Sequence, residues 1–194
     1  MGERQEKSKL FQDLADLYAE MEAAYNLVAD GLGLSCDGCP DNCCTSFFQH
    51  HTRVEWAYLW EGLRACAEDR QKRFLKKAAD YVEKSRLTLS QGGTPKIMCP
   101  LNEDGRCRLY THRLMICRLH GVPNRFTRPD GKIMRFPGCT ICQRLYTDME
   151  QTPVLDRTAF YKRLASLEMA YTGGRPRPGV RLTLAEMLVY GPPE

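Results

Sequence analysis

The sequence predicts a mainly α-helical chain with a small β-hairpin, an α+β protein whose helices pack around a cysteine-rich core. Three observations lead there. Apolar residues recur at three- and four-residue steps in several stretches, the spacing of one face of an α-helix. A single pair of short segments flanks an Asp-Gly dipeptide, the mark of a hairpin. Nine of the ten cysteines fall into two groups, one over residues 36–44 and the other over residues 99–142.

The first helix spans about residues 7–29, where Leu10, Phe11, Leu14, Leu17, Tyr18, Met21, Tyr25 and Val28 form one apolar stripe; Asp30-Gly31 and Gly33 stop it. A loop rich in Gly, Pro, Asn and Asp follows over residues 31–42. Thr52 and Glu55 read as a capping box opening a helix with Trp56, Leu59, Trp60 and Leu63 on its apolar face. The next helix, about residues 67–86, turns Phe74, Leu75, Ala78, Tyr81 and Val82 inward and carries Arg70, Lys72, Arg73, Lys76 and Lys77 on a solvated face. After Gly92-Gly93-Thr94-Pro95, residues 102–105 form a tight turn that pairs Cys99 with Cys107 across a strand-turn unit. Residues 109–116 are expected to be one short helix with Tyr110 and Arg113 on one face. Segments 122–126 and 132–136 flank Thr127 to Gly131 as the hairpin. Asp156 caps a helix reaching about Tyr171, residues 175–179 form an extended linker, and Thr183 with Glu186 caps a last helix ending at Tyr190. By sequence the chain divides into an N-terminal helix (residues 1–35), a cysteine-cluster domain (36–145) and a helical extension (146–194).

With 43% hydrophobic residues among 194, the chain has the material for a packed core. No apolar run reaches the ~18 residues that span a bilayer. The charged N-terminus, Met1-Gly2-Glu3-Arg4-Gln5-Glu6-Lys7, lacks the apolar centre of a secretory signal, so a cytoplasmic, reducing location is expected. The formal net charge of +4 comes without any Lys/Arg block interleaved with aromatics, so nucleic acid is not an expected partner.

Ten cysteines in a reducing compartment point to metal binding or redox chemistry rather than structural bridges. The first group is Cys36-x2-Cys39-x3-Cys43-Cys44. A Cys-x2-Cys turn curls the chain around one ion, and Asp37-Gly38 and Pro40 suit that turn. Cys43 and Cys44 are neighbours, so their side chains diverge; they serve two corners or two centres, or one packs in the core. The second group is Cys99, Cys107, Cys117 and the pair Cys139-x2-Cys142. Tyr110, Arg113 and Arg118 are candidates for tuning the sulfurs through hydrogen bonds and charge. Cys66, without a spaced partner, reads as a buried structural cysteine. His120 has a mixed zinc spacing to Cys117, but His50, His51, His112 and His120 all read more simply as capping or surface residues.

The combination of Cys36-x2-Cys39-x3-Cys43-Cys44 with Cys99-Pro100-Leu101 and Gly105-x-Cys107-x2-Tyr110-x2-Arg113-x3-Cys117-Arg118 resembles the YkgJ-type cysteine-cluster family, over roughly residues 36–142. That family is described as zinc- or iron-chelating and is sometimes labelled iron–sulfur oxidoreductase; a related cysteine segment occurs in flagellin lysine methylases. The family pattern has proline after the arginine, where this chain has Leu114. The resemblance implies Cys36, Cys39, Cys43, Cys44, Cys99, Cys107 and Cys117 as metal ligands, with Cys139 or Cys142 as an eighth.

Scattered single cysteines and one vicinal doublet suit iron–sulfur, of the [4Fe-4S] type in one or two centres, better than paired zinc knuckles; zinc is the alternative. A redox or electron-transfer role with a protein partner follows. A structural zinc module without catalysis and the cluster-bearing component of a protein-modifying enzyme are the other classes. The sequence has no nucleotide-binding glycine loop and no Ser/His/Asp arrangement. Cys-x2-Cys-x3-Cys also runs opposite to the radical-SAM order.

Overall fold

The computed structural model describes residues 2–36, 39, 43–175 and 177–194, without the side chains of Glu3 and Arg4. Asp37, Gly38 and Pro40, expected to shape the first cysteine turn, lie outside the described residues, as does Pro176 of the expected linker. The chain is mainly helical with a small β part, about 54% helix and 9% strand. It divides into two compact units, each built from two separate stretches: residues 1–43 with 118–167, and residues 44–117 with 168–194.

The first unit is organised by α1 (Glu3–Leu32). Its stripe is buried as the periodicity predicts: Leu14, Leu17, Tyr18 and Met21 are almost fully enclosed. The helix outruns its predicted end by one turn and stops at Gly33, whose left-handed conformation (φ 64°) lets its N–H and that of Leu34 close on the last carbonyls. Strands β3 (Asn124–Thr127) and β4 (Ile133–Phe136) form the predicted antiparallel hairpin, with Thr127 opposite Ile133. A third strand, β5 (Leu155–Asp156), pairs in parallel with β3 and was not legible, being two residues long. Helix α5 (Thr140–Leu145) precedes it, and most of α6 (Thr158–Tyr171) follows. Asp156 caps α6 from within β5: its Oδ1 accepts from the Thr158 N–H (3.0 Å) and hydroxyl (2.6 Å).

The second unit packs α2 (Arg53–Arg64), α3 (Glu68–Ser90) and α7 (Leu184–Val189) around Leu59, Leu63, Phe74, Ala78 and Met187. Both tryptophans of α2 anchor α7, each indole N–H donating to the Met187 carbonyl at 2.8 and 3.0 Å. Thr183 and Glu186 form the expected capping box. Thr52 and Glu55 do not. The Thr52 hydroxyl donates to the Glu55 carboxylate (2.7 Å), because Glu55 turns inward to accept from the Met115 N–H at 2.7 Å. The basic face of α3 is compensated by acids, with Lys72 on Glu68, Arg73 on Asp69 and Lys77 on Glu103. Among the described residues no helix is long and apolar enough to cross a membrane.

The expected helix over residues 109–116 is two pieces: a 3-10 turn (Tyr110–His112) and α4 (Met115–Leu119). Arg113 between them is extended (ψ 130°), and the Glu55 carboxylate on the Met115 N–H caps the second piece. The 3-10 turn lies against α2 at Gly62, where a Cβ would collide with the His112 ring, itself 4.4 Å from the Tyr58 ring.

Two outcomes follow. Gly62→Ala is expected to destabilise by about 1–3 kcal/mol through overpacking, despite the better helix propensity of alanine. In a His112→Ala background the same change should be neutral or stabilising; equal costs in both backgrounds, read by urea unfolding, would refute the contact. Asp156→Ala should cost about 0.5–1 kcal/mol, the low value fitting a solvated cap. The Thr158 hydrogen bonds, and after them Arg125, hold the Asp156 carboxyl below its ordinary range. Its contribution is therefore present above the unfolded pKa and lost as pH falls through the folded one, so the variant's deficit should shrink in acid.

Candidate metal centre

No disulfide joins any of the ten cysteines. In the second unit, four of them come from separate pieces of chain. Cys44 sits in a 3-10 turn (Cys43–Thr45), and its carbonyl accepts from the Cys99 N–H at 2.9 Å. Cys99 in turn accepts from the Asn102 N–H (3.0 Å), which starts the hairpin of β1 (Asn102–Glu103) and β2 (Arg106–Cys107). The two-residue loop Asp104-Gly105 has positive φ at both positions (54° and 79°), as a twisted hairpin of this length requires. The register sets Asn102, rather than Cys99, opposite Cys107. Glu103 fixes the hairpin by ion pairs with Arg108 (3.4 Å) and Lys77 (3.8 Å). Cys117 lies in α4, immediately beyond the break capped by Glu55.

Cys99 and Cys107 pack against the apolar core of this unit. Burial pushes the Cys99 thiol well above its usual range, and the charges of Cys117, Cys107 and Cys44 push the same way. Cys117 is pushed up to about 12, by burial first; Arg113 opposes the rise, while Cys107, Cys44 and Glu55 add to it. Cys99 and Cys117 thus each feel the other two, Cys107 and Cys44. The Arg113 guanidinium lies over the Tyr110 ring at 4.6 Å, so the predicted shared face of these residues exists although the helix does not.

Two neighbours were missed. His50 reads in sequence as a surface or capping residue, yet it is 1% exposed, paired through its backbone with Leu182, and its Nε2 lies 4.0 Å from Cys117 Sγ. Burial lowers its pKa to about 3, so the ring is neutral, and its Nδ1 is buried without a hydrogen-bond partner. Tyr81 of α3 is raised by burial and, more weakly, by Cys99 and Cys117. Its inward position was predicted; its approach to sulfur had no signal, because a helical stripe does not say what it faces. Cys66 is half-buried, just past α2, and its thiol reaches the Gly62 carbonyl at 3.5 Å.

The first unit holds the other candidates. The Tyr25 hydroxyl of α1 lies 3.8 Å from Cys36 Sγ, and the tyrosine is raised by burial and then by Cys36, Cys139 and Cys43. The Cys39 N–H bonds the Cys36 carbonyl (3.4 Å). Cys139 caps α5, its sulfur accepting from the Cys142 N–H at 3.4 Å. Cys142 is wholly buried, and its thiol is pushed up to about 11 by burial, then by Cys139 and Cys36. Arg118 is buried here: its guanidinium stacks on Tyr18 (4.2 Å) and pairs with Glu22 (3.8 Å), which accounts for it as an anchor of α4 on α1.

Among the described residues, no three His, Cys, Asp or Glu side chains stand in a geometry ready to hold a metal ion. The thiols are near enough to influence one another but do not converge on a coordination point. The donor chemistry nevertheless fits a thiophilic metal: four partly enclosed sulfurs in one unit, two of them packed on its apolar core, with the Arg113 guanidinium acting on Cys117. No protein-family model matches this chain, and neither a curated protein nor a solved structure is significantly similar to it.

Proposed function

We propose that this protein binds a metal cluster through cysteine thiolates, a [4Fe-4S]-type iron–sulfur centre held by Cys44, Cys99, Cys107 and Cys117, and that it exchanges electrons with a protein partner. The reading rests on one observation: from three separated stretches of the second unit, Cys44, Cys107 and Cys117 lie near enough to Cys99 to raise its thiol, and Cys99 and Cys107 pack on the unit's apolar core. The likeness of their spacing to the YkgJ-type pattern supports the same reading. When bound, such a cluster supplies a one-electron couple whose potential follows burial and hydrogen bonds to sulfur.

The chain's own residues have definable tasks. The backbone hydrogen bond ties Cys44 to Cys99, and the β1–β2 hairpin presents Cys107 beside the same core that Cys99 packs on. Arg113 favours the thiolate of Cys117, opposing the penalty of burial. The neutral His50 ring is within reach to donate to that sulfur once it is deprotonated, which would orient it and lower its basicity. Closing the four sulfurs on an ion costs a local rearrangement, and thiolate–metal bonding, about 10–16 kcal/mol in small zinc domains, is ample to drive it. Zinc is the second reading, since a closed structural zinc site also takes four thiolates.

The chain purified without oxygen is expected to be brown and to contain iron and acid-labile sulfide; a colourless, zinc-loaded protein would select the second reading. In Cys117→Ser, metal content and melting temperature should both fall, because binding energy is folding energy here; unchanged values would remove Cys117 from the set. Cys66→Ala should leave the metal untouched. Binding must expel the protons that burial keeps on Cys99 and Cys117. Zinc affinity measured by competition with a chelator should therefore rise between about pH 6 and pH 8; a flat profile would mean these thiols are not ligands.

A further inference from the structure

We infer that the first unit carries an anion-binding site at Arg157, where the guanidinium takes the phosphate or carboxylate group of a small organic molecule. The inference uses no cysteine and is independent of the proposed function.

Arg157 is held where a charge is costly. It directly follows β5; its N–H donates to the Arg125 carbonyl of β3 (2.8 Å), and its carbonyl accepts from the Tyr161 N–H in the first turn of α6 (3.0 Å). The residue is 6% exposed. Three rings surround the guanidinium, Phe136 at 4.7 Å, Tyr161 at 5.4 Å and Phe126 at 5.8 Å, and the two phenylalanines are stacked nearly parallel. Such rings attract a cation through their faces but do not replace an oxygen acceptor for its N–H groups. Nε is buried without a hydrogen-bond partner, and among the described residues no carboxylate pairs with the guanidinium. Burial lowers the pKa, yet an arginine stays charged at neutral pH. Buried charges are ordinarily paired, so this donor is left for a group from outside the chain.

The neighbouring acid turns the other way. Successive residues of a strand face opposite sides, and Asp156 is committed to Thr158 and, at 3.1 Å, to Arg125. A second orphan lies on the side of the sheet that Arg157 shares with Phe136. Asn124 is opposite Phe136 in the register. Its amide donates to the Leu119 and Val122 carbonyls (3.5 and 2.9 Å), which fixes its orientation and leaves Oδ1 buried without a partner. An oxyanion that carries a hydroxyl supplies both complements, an acceptor for Nε and a donor for Oδ1. The β3–β4 hairpin adds Arg125, Arg128, Lys132 and Arg135 against Asp130, so the local field favours an anion. Phe136 is 39% exposed, which puts the guanidinium one ring below solvent, within reach of a ligand that shifts that side chain.

The experiment titrates the full chain by calorimetry with inorganic phosphate and, separately, with glycolate, at an ionic strength held constant with chloride. At least one probe should bind with one equivalent per chain; phosphate binding identifies a phosphate ester as the ligand class, and glycolate binding a hydroxy acid. Arg157→Gln should weaken that binding by at least about ten-fold, the worth of one hydrogen bond to a charged group. Arg135→Gln, which removes an exposed charge from the other face of the hairpin, should change it by less than about two-fold. Binding of neither probe would overturn the site. So would an affinity that Arg157→Gln leaves unchanged, or that both variants lower equally, the mark of diffuse attraction to a basic hairpin. Should Arg157→Gln fail to fold, the Nε–H resonance of Arg157 in the native chain decides: a shift that saturates with either probe supports the inference, and an unmoved resonance refutes it.

Discussion

Burial of thiols against an apolar core is the constraint on which the second unit is arranged. Cys99 and Cys107 sit on the same core that α2, α3 and α7 build with Leu59, Phe74 and Met187. A thiol there is tolerated as a small neutral hydrophobe, and its pKa rises because a charged sulfur would lose its hydration. Cys99 and Cys117 are stable there while protonated, since burial and the neighbouring thiols both oppose their ionisation. The same desolvation that opposes ionisation in the free chain would strengthen thiolate–metal attraction once the charge is neutralised. Fold and metal affinity would then share one origin, the apolar surroundings of sulfur.

Glu55 shows how a local sequence signal can be right about position and wrong about role. Its spacing from Thr52 predicts a capping box. The carboxylate instead caps the chain sixty residues on, at the Met115 N–H, two residues before Cys117. An inward carboxylate at the start of α2 thereby fixes where α4 begins. It also explains why residues 109–116 do not form one helix: Arg113 must be extended for Met115 to meet Glu55. Propensity favours a continuous helix there, and a buried charge-assisted hydrogen bond outweighs it.

Much of the fold was legible for a simple reason. The stripe of α1, the inward face of α3, the hairpin around Gly131 and the cap at Thr183 are all set by neighbours a few residues away, and periodicity records such neighbours. The sulfur groups were legible as a set, because their spacing is unusual, but not as a partition. Which cysteines meet depends on contacts between stretches far apart, such as Cys44 with Cys99 and Cys117 with His50. His50 illustrates the limit: its sequence context is that of a loop, and only the bridge to Leu182 turns it into a buried neighbour of Cys117. Arg118 was grouped with Cys117 by adjacency, yet on α4 successive residues diverge, and its guanidinium lies on Tyr18 of α1.

That divergence recurs at Cys43–Cys44 and gives the doublet a physical meaning. Two adjacent cysteines in a tight turn are ill-suited to chelate one ion, since the backbone aims their sulfurs apart. The boundary between the two compact units falls at the peptide bond that joins them, so each sulfur is fixed by the contacts of its own stretch of chain.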